Sequence, residues 1–399
     1  MTTSRHSTLL QRPMRAEPLV FGSPLIEEED IEEVVATLRS GWLSTGPRVA
    51  RFEQAFRTYL GAEHAIAVSS CTAALHLALT AIGIEPGDEV ITTPLTFCAT
   101  ANAILQAGGR PVFADVERES MTLDPAAVDA AVTRRTKAII PVHLAGRPCR
   151  MDELMAIARR HGLYVIEDAA HCIEGSYRGR RIGTFGDLAC FSFYVTKSLM
   201  TGEGGMVVTQ NAELGQIVRT LAHHGLSHTA WERHIQSARG IPEVVAPGFK
   251  SNMTDLQAAL GLHQIDRLDA QLARRQAIWA TYDQALADLP FRLPAQEEPD
   301  RVHARHLYQL LVDDRQAPFD RDGLRDDLLR LNIGTGIHYI ALHQHPYYRD
   351  TFHLSPDQFP NAQFISERTL SLPLSAKLTD ADVEDVVNGV RQVWESRCR

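Results

Sequence analysis

Strand-like and helix-like segments alternate along the first half of the chain, and this alternation constrains the fold more than any other feature. Apolar runs such as HAIAV, DEVITTP, TKAIIPVH and LYVIEDA are each followed by a segment with helical spacing, for example CTAALHLALTAIG. Strands that are separated by helices pair in parallel, and the helices cover both faces of the sheet. The sequence therefore predicts an α/β fold with a largely parallel sheet between helices.

The second half of the chain has a different pattern. The alternation ends in a long polar segment at 221–252, and a segment of this kind is more often a functional or interface loop than a linker. A long helical pattern at 253–289, the run HLYQLLVDD and helical patterns near 320–331 and 378–395 follow. We predict an N-terminal extension at 1–20, a large domain at 21–253, and a bridging helix with a smaller α+β domain at 254–399.

Charge and hydropathy argue against two classes of partner. The net charge of −9, without a concentrated basic run, disfavours nucleic acid. No apolar stretch reaches the roughly 18 residues of a membrane span, and the N-terminus lacks the apolar core of a signal peptide. Six scattered cysteines without a CxxC pair favour reduced thiols. We expect a cytoplasmic protein with small-molecule ligands, and neither nucleic acid nor a membrane as a partner.

The residues that follow the predicted strands carry the chemistry, because ligands of open parallel sheets bind beyond the carboxyl ends of the strands. Small and hydroxyl residues at 69–73 open a helix and favour an anion, although they also suit a simple N-cap. Phe97 suits stacking on a ligand ring or ordinary core packing. Asp168 suits a positive charge on a ligand, an N-cap or a salt bridge.

Lys197 follows the strand-like run DLACFSF and completes this set. Lysine forms a Schiff base with carbonyl compounds, and burial lowers its pKa from about 10.4 toward neutrality. Pyridoxal phosphate (PLP) needs a phosphate anchor, a stacking aromatic ring, a carboxylate and this amine together. Without the other three groups, a lysine exposed at the end of a strand would be the preferred interpretation.

Several stretches resemble one known family. They are WLSTGP, SSCTAALHLAL, PLTFCATANAI, PVHLAGRP, VIEDAAH, FSFYVTKSLMTGEGG, PGFKSNMTDLQAALGL and LSLPLSAKLTDADVEDV. In order and spacing, from about residue 20 onward, they resemble the DegT-type nucleotide-sugar aminotransferases among the fold-type I PLP enzymes. The resemblance implies a mainly parallel sheet of the seven-stranded type, PLP as cofactor, and ping-pong transfer of an amino group from L-glutamate to a nucleotide-linked keto sugar.

The resemblance also implies roles for single residues. Lys197 is the catalytic residue and forms the Schiff base, Asp168 faces the pyridine nitrogen, and Phe97 stacks on the ring. His171 occupies a position, often Gln or His, beside the phenolic oxygen of the ring. The other cofactor contacts implied are Ser70, Cys71, Thr72, Ala73, Ser192, Lys250 and Asn252. The substrate contacts implied are Trp42, Ser44, Thr45, the 223–234 loop, His338 and Tyr339.

The family builds its site between two subunits, so the resemblance implies a homodimer in which Lys250 and Asn252 reach the partner's phosphate. Two positions depart from the usual pattern. Cys71 stands where many members have glycine, and FKSNM replaces YNYRM, so a common arginine is absent. This pattern and GIHYIALHQHPYY are closer to C4 aminotransferases of UDP-linked 4-keto sugars. A C3-specific enzyme, or one acting on GDP- or TDP-sugars, is the alternative.

Four other interpretations are weaker. Cys71 at a helix start, with His76 in the same predicted helix, could suggest a cysteine hydrolase, but no orienting partner is identifiable. Metal sites could be sought in two histidine sets, which are His338, His343 and His345, and His223, His224 and His228. Neither set has the pattern of a hydrolytic site, so we expect no metal. A PLP-dependent sugar dehydratase would carry histidine in place of Lys197, and a PLP-binding regulatory protein would not require the intact set.

Overall fold

The computed structural model describes residues 15–227, 243–296, 298–313 and 315–398. A central sheet of seven strands, in the order β1-β9-β8-β5-β4-β2-β3, forms the larger part of the molecule. Its elements are α1 (Glu28–Ser40), α2 (Pro47–Leu60), β1 (His64–Val68), α3 (Cys71–Ala81), β2 (Glu89–Thr92), α4 (Cys98–Gln106), β3 (Arg110–Phe113), α5 (Pro125–Ala131), β4 (Thr136–Ile139), α6 (Met151–His161), β5 (Tyr164–Asp168), β6 (Ser176–Tyr177), β7 (Arg180–Arg181), β8 (Leu188–Ser192), β9 (Gly205–Thr209) and α7 (Ala212–Ala222).

The sheet is parallel except at β9, which runs antiparallel to its neighbours β1 and β8. Strands β8, β5, β4, β2 and β3 pair in parallel along the rest of the sheet. Apolar side chains on the two faces enter two different cores, one around Phe52, Phe56 and Phe193 and one around Leu75 and Ile104. The predicted α/β fold with a mainly parallel, doubly covered sheet is therefore confirmed.

Local sequence signals fix where several helices start and end. Gly41 and Gly61 follow α1 and α2 with φ values of 73° and 69°, a left-handed conformation that glycine adopts without steric cost. Ser70 caps α3 by accepting a hydrogen bond from the N–H of Ala73 at 3.1 Å. The cap holds the start of α3 at the carboxyl end of β1.

A second, smaller sheet has the order β10-β12-β13 and a core of its own. The elements that follow α7 are α8 (Asp255–Leu262), α9 (Gln264–Leu286), β10 (Phe291–Arg292), β11 (Arg301–Val302), β12 (Tyr308–Val312), α10 (Arg321–Arg330), α11 (Pro346–Phe352), α12 (Pro360–Arg368), β13 (Thr369–Leu372) and α13 (Asp380–Cys398). Tyr282, Tyr308 and Leu324 are fully buried among α9, α10 and α13.

The N-terminal segment packs on this smaller body. Arg15 forms ion pairs with Asp382 and Asp385 of α13, and Leu19 forms a parallel bridge with Ile333. Strand β11 meanwhile pairs with β6 in a third sheet, beside the large one. The division at residues 20 and 253 remains a prediction.

Some elements differ from the sequence expectations. Helix α7 was not predicted, and the long helical pattern at 253–289 is divided at His263 into α8 and α9. Of the predicted 223–234 loop, residues 228–234 lie outside the described residues. In the described parts of the chain, no helix combines the length and the apolar character that a bilayer crossing requires.

Candidate active site

A cavity of about 550 Å³ lies where the parallel strands of the large sheet end. Its walls come from the segments after β1, β2, β4, β5 and β8, which is the edge where a ligand of an open parallel sheet is expected. The predicted site residues that line it are Ser70, Cys71, Thr72, Phe97, Asp168, His171, Ser192, Lys197, His338 and Tyr339. The structure thus brings together ten residues that are far apart in sequence.

Lys197 lies in the turn that follows β8, and its N–H donates to the carbonyl of Tyr194 at 2.8 Å. The residue keeps partial access to the cavity, but protein surrounds its ammonium group. This burial lowers the pKa of the Lys197 amine from 10.5 to about 8, against the opposing effects of Cys71 and Asp168. A sizeable fraction of the amine is therefore neutral and nucleophilic near pH 7 to 8.

The same pKa shift predicts an effect on stability. Below about pH 8 the folded protein holds the charged Lys197 amine at a desolvation cost. Between about pH 8 and 10.5 the unfolded chain binds more protons at this lysine than the folded protein does, so the free energy of unfolding rises with pH. Lys197→Met removes this cost. We expect the cofactor-free variant to gain about 1–3 kcal/mol of unfolding free energy at pH 7, with the gain shrinking toward pH 10.

Urea unfolding of the cofactor-free protein at pH 7 and at pH 10 measures this gain. Lys137→Met is the matched control, because the Lys137 side chain is partly exposed and lies beside Asp88, with Nζ and Oδ2 3.2 Å apart. The control should show no comparable gain. A Lys197→Met protein that is less stable than the parent at pH 7 would contradict the desolvation argument.

Asp168 is the last residue of β5, and its carboxylate is buried at the cavity wall. One oxygen accepts the hydroxyl hydrogen of Thr100 at 2.8 Å, and the other accepts the N–H of Ala170 at 3.3 Å. Burial raises its pKa above the usual range. Among the described residues Asp168 caps no helix and forms no ion pair, so its carboxylate has the structural freedom to hold a positive charge in the cavity.

The start of α3 forms the opposite part of the wall. Ser70, Cys71 and Thr72 line the cavity, whereas Ala73 does not, and its N–H is already bonded to Ser70. The first N–H groups of a helix lack acceptors within the helix and lie at the positive end of its dipole. Ser70 therefore serves as an N-cap, and the same turn still presents N–H groups to an anion.

Phe97 is not a core residue. Its side chain is 57% exposed, it faces the cavity, and its ring centroid lies 5.9 Å from that of Tyr339. A large apolar ring that is left uncovered beside Asp168 and Lys197 favours stacking on a bound ring over ordinary packing.

Three histidines enclose the side of the cavity near Lys197. The rings of His171 and His306 lie 4.5 Å apart, and the His171 Nε2 lies 3.2 Å from the Tyr339 hydroxyl. His338 is bonded through Nδ1 to the Ser371 hydroxyl at 2.9 Å. Burial lowers the pKa of His338 to about 4 and those of His171 and His306 well below the usual range. These rings are neutral at pH 7.

Five other predicted site residues form a second cluster that does not line the cavity. Asn252 donates to the Thr45 hydroxyl at 2.6 Å and accepts from the Lys250 amine at 2.6 Å. The indole of Trp42 donates to the Thr45 carbonyl at 3.1 Å, and the Ser44 carbonyl accepts from the N–H of Asp255 at 3.2 Å. The predicted site is therefore divided into a cavity group and this cluster at the junction of α1, α2 and α8.

The cavity lining also includes residues that the sequence patterns did not single out, and four of them have side chains that bear on the site. They are Phe21, Thr100, Glu203 and His306. The spacing in the sequence could have indicated Thr100, because it lies one helical turn after Thr96. In the structure the two hydroxyl groups share a hydrogen bond at 2.9 Å. No local sequence pattern indicates that His306 belongs to the site. Hydrogen bonds between its segment and the distant turn at Leu144–Gly146 bring it to the cavity.

The geometry does not favour a hydrolase or a metal enzyme. Burial raises the pKa of the Cys71 thiol well above its usual range, opposite to the effect that thiolate chemistry requires, and the His76 ring packs on Phe249 at 4.6 Å. His343 is bonded to Gln363 and His345 to the Ile340 carbonyl, so these rings serve separate partners. His228 lies outside the described residues, within which no three His, Cys, Asp or Glu side chains are placed to hold a metal ion.

A doubly covered α/β sheet with a lysine, a carboxylate and a helix start around one cavity defines a fold-type I PLP-dependent enzyme. The comparison with family models makes the assignment specific. Residues 24–391 match the DegT/DnrJ/EryC1/StrS aminotransferase family, and the chain belongs to that family. The resemblance seen in the sequence is confirmed, as are PLP as the cofactor and an aminotransferase as the class of enzyme.

Individual relatives cover almost the whole chain. The spore coat polysaccharide biosynthesis protein SpsC of Bacillus subtilis is 49% identical over 379 residues, which are 94% of this chain and 97% of SpsC. The PLP form of Spr1654 from Streptococcus pneumoniae has a TM-score of 0.88 at 30% identity, covering 95% of this chain and 99% of that one. PseC of Helicobacter pylori, an aminotransferase involved in pseudoaminic acid biosynthesis, has a TM-score of 0.88 at 28% identity and covers 95% of this chain and 100% of PseC.

Proposed function

We propose that this enzyme transfers the amino group of L-glutamate to a nucleotide-linked keto sugar, with a UDP-4-keto sugar as acceptor and a 4-amino sugar as product. The observation that carries the proposal is the placement of Lys197 and Asp168 in one cavity of about 550 Å³, a size typical of small-molecule sites. The names of SpsC and PseC, which refer to polysaccharide and pseudoaminic acid biosynthesis, support a sugar as the acceptor.

The residues of the cavity fit PLP. A ring with a basic nitrogen suits the buried carboxylate of Asp168, a phosphate suits the first turn of α3, and the uncovered face of Phe97 suits the ring itself. PLP, when bound, supplies an aldehyde carbon that bonds to amines and a ring that withdraws electrons from them. We assign the contacts with it to Phe97, Asp168, Lys197 and the residues around Ser70, Thr72 and Ser192.

Lys197 and Asp168 have complementary roles in this scheme. With PLP bound, the Lys197 amine, whose pKa burial lowers, would be the base that takes a proton from the α-carbon of the amino donor and gives it back on the cofactor side of the shared nitrogen. Asp168 would hold a proton on the pyridine nitrogen, and the positive charge of that nitrogen would stabilise the Asp168 carboxylate in the buried site. The same two residues serve the sugar half-reaction in the reverse direction.

A panel of acceptors tests the substrate. The pyridoxamine phosphate form is mixed with UDP-, GDP- and TDP-linked 3-keto and 4-keto sugars, and the return of the lysine-linked absorbance band identifies the acceptor. We expect the UDP-4-keto sugar to give the fastest return. A faster 3-keto, GDP or TDP sugar would replace the proposed acceptor by the alternative within the same family.

Labelled glutamate separates transamination from the other two activities. With [15N]glutamate as donor, an aminotransferase places the label in the sugar, whereas a dehydratase releases a deoxysugar without it. A PLP-binding regulatory protein would show no absorbance change with glutamate at all. Loss of label from the sugar product would overturn the proposed reaction even if the cofactor binds.

We also propose a homodimer in which the Lys250 cluster completes the partner's cavity. Lys250, Asn252 and Thr45 form a polar group outside the cavity of their own chain, and Leu38 and Leu43 are exposed nearby on the same stretch of chain.

Buried cysteines such as Cys149, Cys172 and Cys190 have free thiols, which supports placing this dimer in the reducing cytoplasm.

Mixed dimers test the shared site. Lys197→Ala and Lys250→Ala proteins should each be poorly active, and their heterodimer has one site with both lysines intact and one site with neither. We expect refolding an equimolar mixture to restore about a quarter of the parental activity, because about half of randomly paired dimers are mixed and each has one working site.

The control for this experiment is a mixture of Lys197→Ala with Lys377→Ala, a variant of a lysine that does not line the cavity. The Lys377→Ala protein should be active on its own. Its mixed dimers with Lys197→Ala should be active only at the site that keeps Lys197. Failure of the Lys197→Ala and Lys250→Ala mixture to exceed its separate components would show that Lys250 does not act across the dimer.

A further inference from the structure

Ala145 has an unusual backbone conformation next to the cavity. It lies in the 3₁₀ turn Leu144–Gly146, after β4. Its φ of 58° and ψ of 5° fall in the left-handed region, which residues other than glycine rarely adopt. Its carbonyl accepts hydrogen bonds from the N–H groups of His306 and Leu307 at 3.0 and 3.2 Å. These two bonds hold the Ala145 peptide in place between two segments of the cavity wall.

The N–H of Ala145, which belongs to the preceding peptide group, faces His171. The Ala145 N–H donates to the Nδ1 of His171 at 3.3 Å, and the His171 ring is buried. A backbone N–H can only donate, so Nδ1 must be the acceptor and has no hydrogen. Because the buried ring is neutral, its one hydrogen is on Nε2.

This tautomer determines what the Tyr339 hydroxyl can do. The Nε2–H of His171 donates to the Tyr339 oxygen at 3.2 Å, with the two rings stacked at 6.2 Å. Burial also raises the pKa of Tyr339, so the phenol keeps its hydrogen. An oxygen that accepts from His171 directs its own hydrogen to another acceptor, and Tyr339 faces the cavity.

We propose that the Ala145 N–H fixes His171 in the Nε2–H tautomer and that this tautomer makes Tyr339 a hydrogen-bond donor to an oxygen of the bound substrate. The inference rests on the proposed function only for the identity of that oxygen, which is the keto oxygen of the sugar. A donated hydrogen bond polarises the C=O bond that the incoming amine attacks. His171 is a positioning residue in this arrangement, and Tyr339 is the residue that touches the substrate.

The tautomer can be measured directly by NMR, without any turnover. Protein labelled with [15N]histidine is examined with and without cofactor, and the His171 signals are assigned by their absence from His171→Gln. We expect an unprotonated Nδ1 and a protonated Nε2 that do not titrate between about pH 6 and about pH 8. A hydrogen on Nδ1, or an imidazolium in this range, would overturn the proposal whatever substrate the enzyme uses.

Variants then test the consequence for Tyr339. Tyr339→Phe should lower kcat/KM of the sugar half-reaction by about 10²-fold, as expected for the loss of one positioned donor. His171→Leu should cause a loss no larger than this one, and the double variant no further loss than Tyr339→Phe, because His171 acts only through the Tyr339 hydroxyl. His171→Gln should retain most of the activity, since a glutamine oxygen can accept from Ala145 while its NH₂ donates to Tyr339.

Tyr347→Phe is the matched control for the phenol, because Tyr347 is exposed on α11. If losses in His171→Leu and Tyr339→Phe add in the double variant, or His171→Gln fails like His171→Leu, the two residues do not act as one unit. If no nucleotide-linked keto sugar reacts with the parent enzyme, the proposed function fails, and the NMR measurement still decides the tautomer.

Discussion

Lys197→Ala is expected to abolish transamination, with a rate lower by about 10⁴-fold, the upper end of what a positioned acid–base group contributes. The variant loses both the amine that bonds to the cofactor and the base that moves the proton. No other lysine of the same chain lines the cavity among the described residues, so no amine of that chain can replace it. The absorbance band of the lysine-linked cofactor should disappear, although PLP can still be held by the phosphate and ring contacts.

Four experiments make this expectation specific. Single-turnover rates with glutamate measure the loss in the rate of the chemical step. Borohydride reduction of the parent protein, followed by peptide mapping, should find the reduced cofactor attached to Lys197. Lys137→Ala, a change at a surface lysine, should leave both the rate and the band unchanged. Added methylamine should restore part of the proton transfer in Lys197→Ala. Substantial turnover by the variant without added amine would remove the basis of the proposed mechanism.

The sequence was sufficient for the parts of the site that depend on strand order. Asp168 and Ser192 end β5 and β8, and Lys197 lies in the turn after β8. In a parallel sheet the ends of such strands meet at one edge. Their convergence on one cavity is therefore a consequence of fold class. The same argument explains why Phe97 and Thr72, each at a helix start after a strand, were found from pattern alone.

Residues that enter the cavity by long-range packing could not be predicted in this way. Phe21 belongs to the segment that is tied to the small body by Leu19, and its ring stacks on His338 at 5.3 Å. His306 is placed by the carbonyl of Ala145, whose left-handed conformation no local pattern indicates. These positions depend on how the second half of the chain packs against the first, which periodicity does not describe.

Helix α7 was missed for a different reason. Asn211 caps it by accepting hydrogen bonds from the N–H groups of Glu213 and Leu214 at 2.9 and 3.1 Å. This is an ordinary start signal, and Leu214, Val218 and Leu221 then follow at helical spacing. The polar segment predicted at 221–252 takes in only the last two residues of α7, and the start signal at Asn211 was not recognised.

Asp168→Asn is expected to lower the rate of the glutamate half-reaction by about 10²–10³-fold, the range for the loss of one positioned electrostatic contact. Asparagine keeps the shape of the side chain and can still bond to Thr100, but it removes the negative charge. A neutral amide no longer stabilises a proton on the pyridine nitrogen, so the ring withdraws fewer electrons. Stopped-flow absorbance after mixing with glutamate measures the rate.

Stability separates this effect from damage to the fold. Burial raises the pKa of Asp168 in the cofactor-free protein, so ionising it costs stability as pH rises through the folded pKa. Asp168→Asn removes that cost, and the cofactor-free variant should unfold at the same or higher urea concentration than the parent at pH 7. A slow enzyme that is at least as stable would show that the loss lies in chemistry.

Glu167→Gln is the matched control, because Glu167 is the preceding residue of β5 and is also fully buried. Burial alone would raise its pKa, but bonds from His143 and from the N–H groups of Gly186 and Gly183 outweigh it and lower the pKa. Its charge therefore stabilises the fold above the pKa of the unfolded chain, and this contribution is lost as pH falls through the folded pKa.

The two variants should consequently show opposite effects. Glu167→Gln should lose about 1–3 kcal/mol of unfolding free energy and keep its rate per folded molecule, because its donors are left without a charged acceptor. Asp168→Asn should keep its stability and lose its rate. A normal rate in Asp168→Asn would show that the Asp168 carboxylate is not needed to keep the proton on the pyridine nitrogen. That nitrogen would then need a different partner.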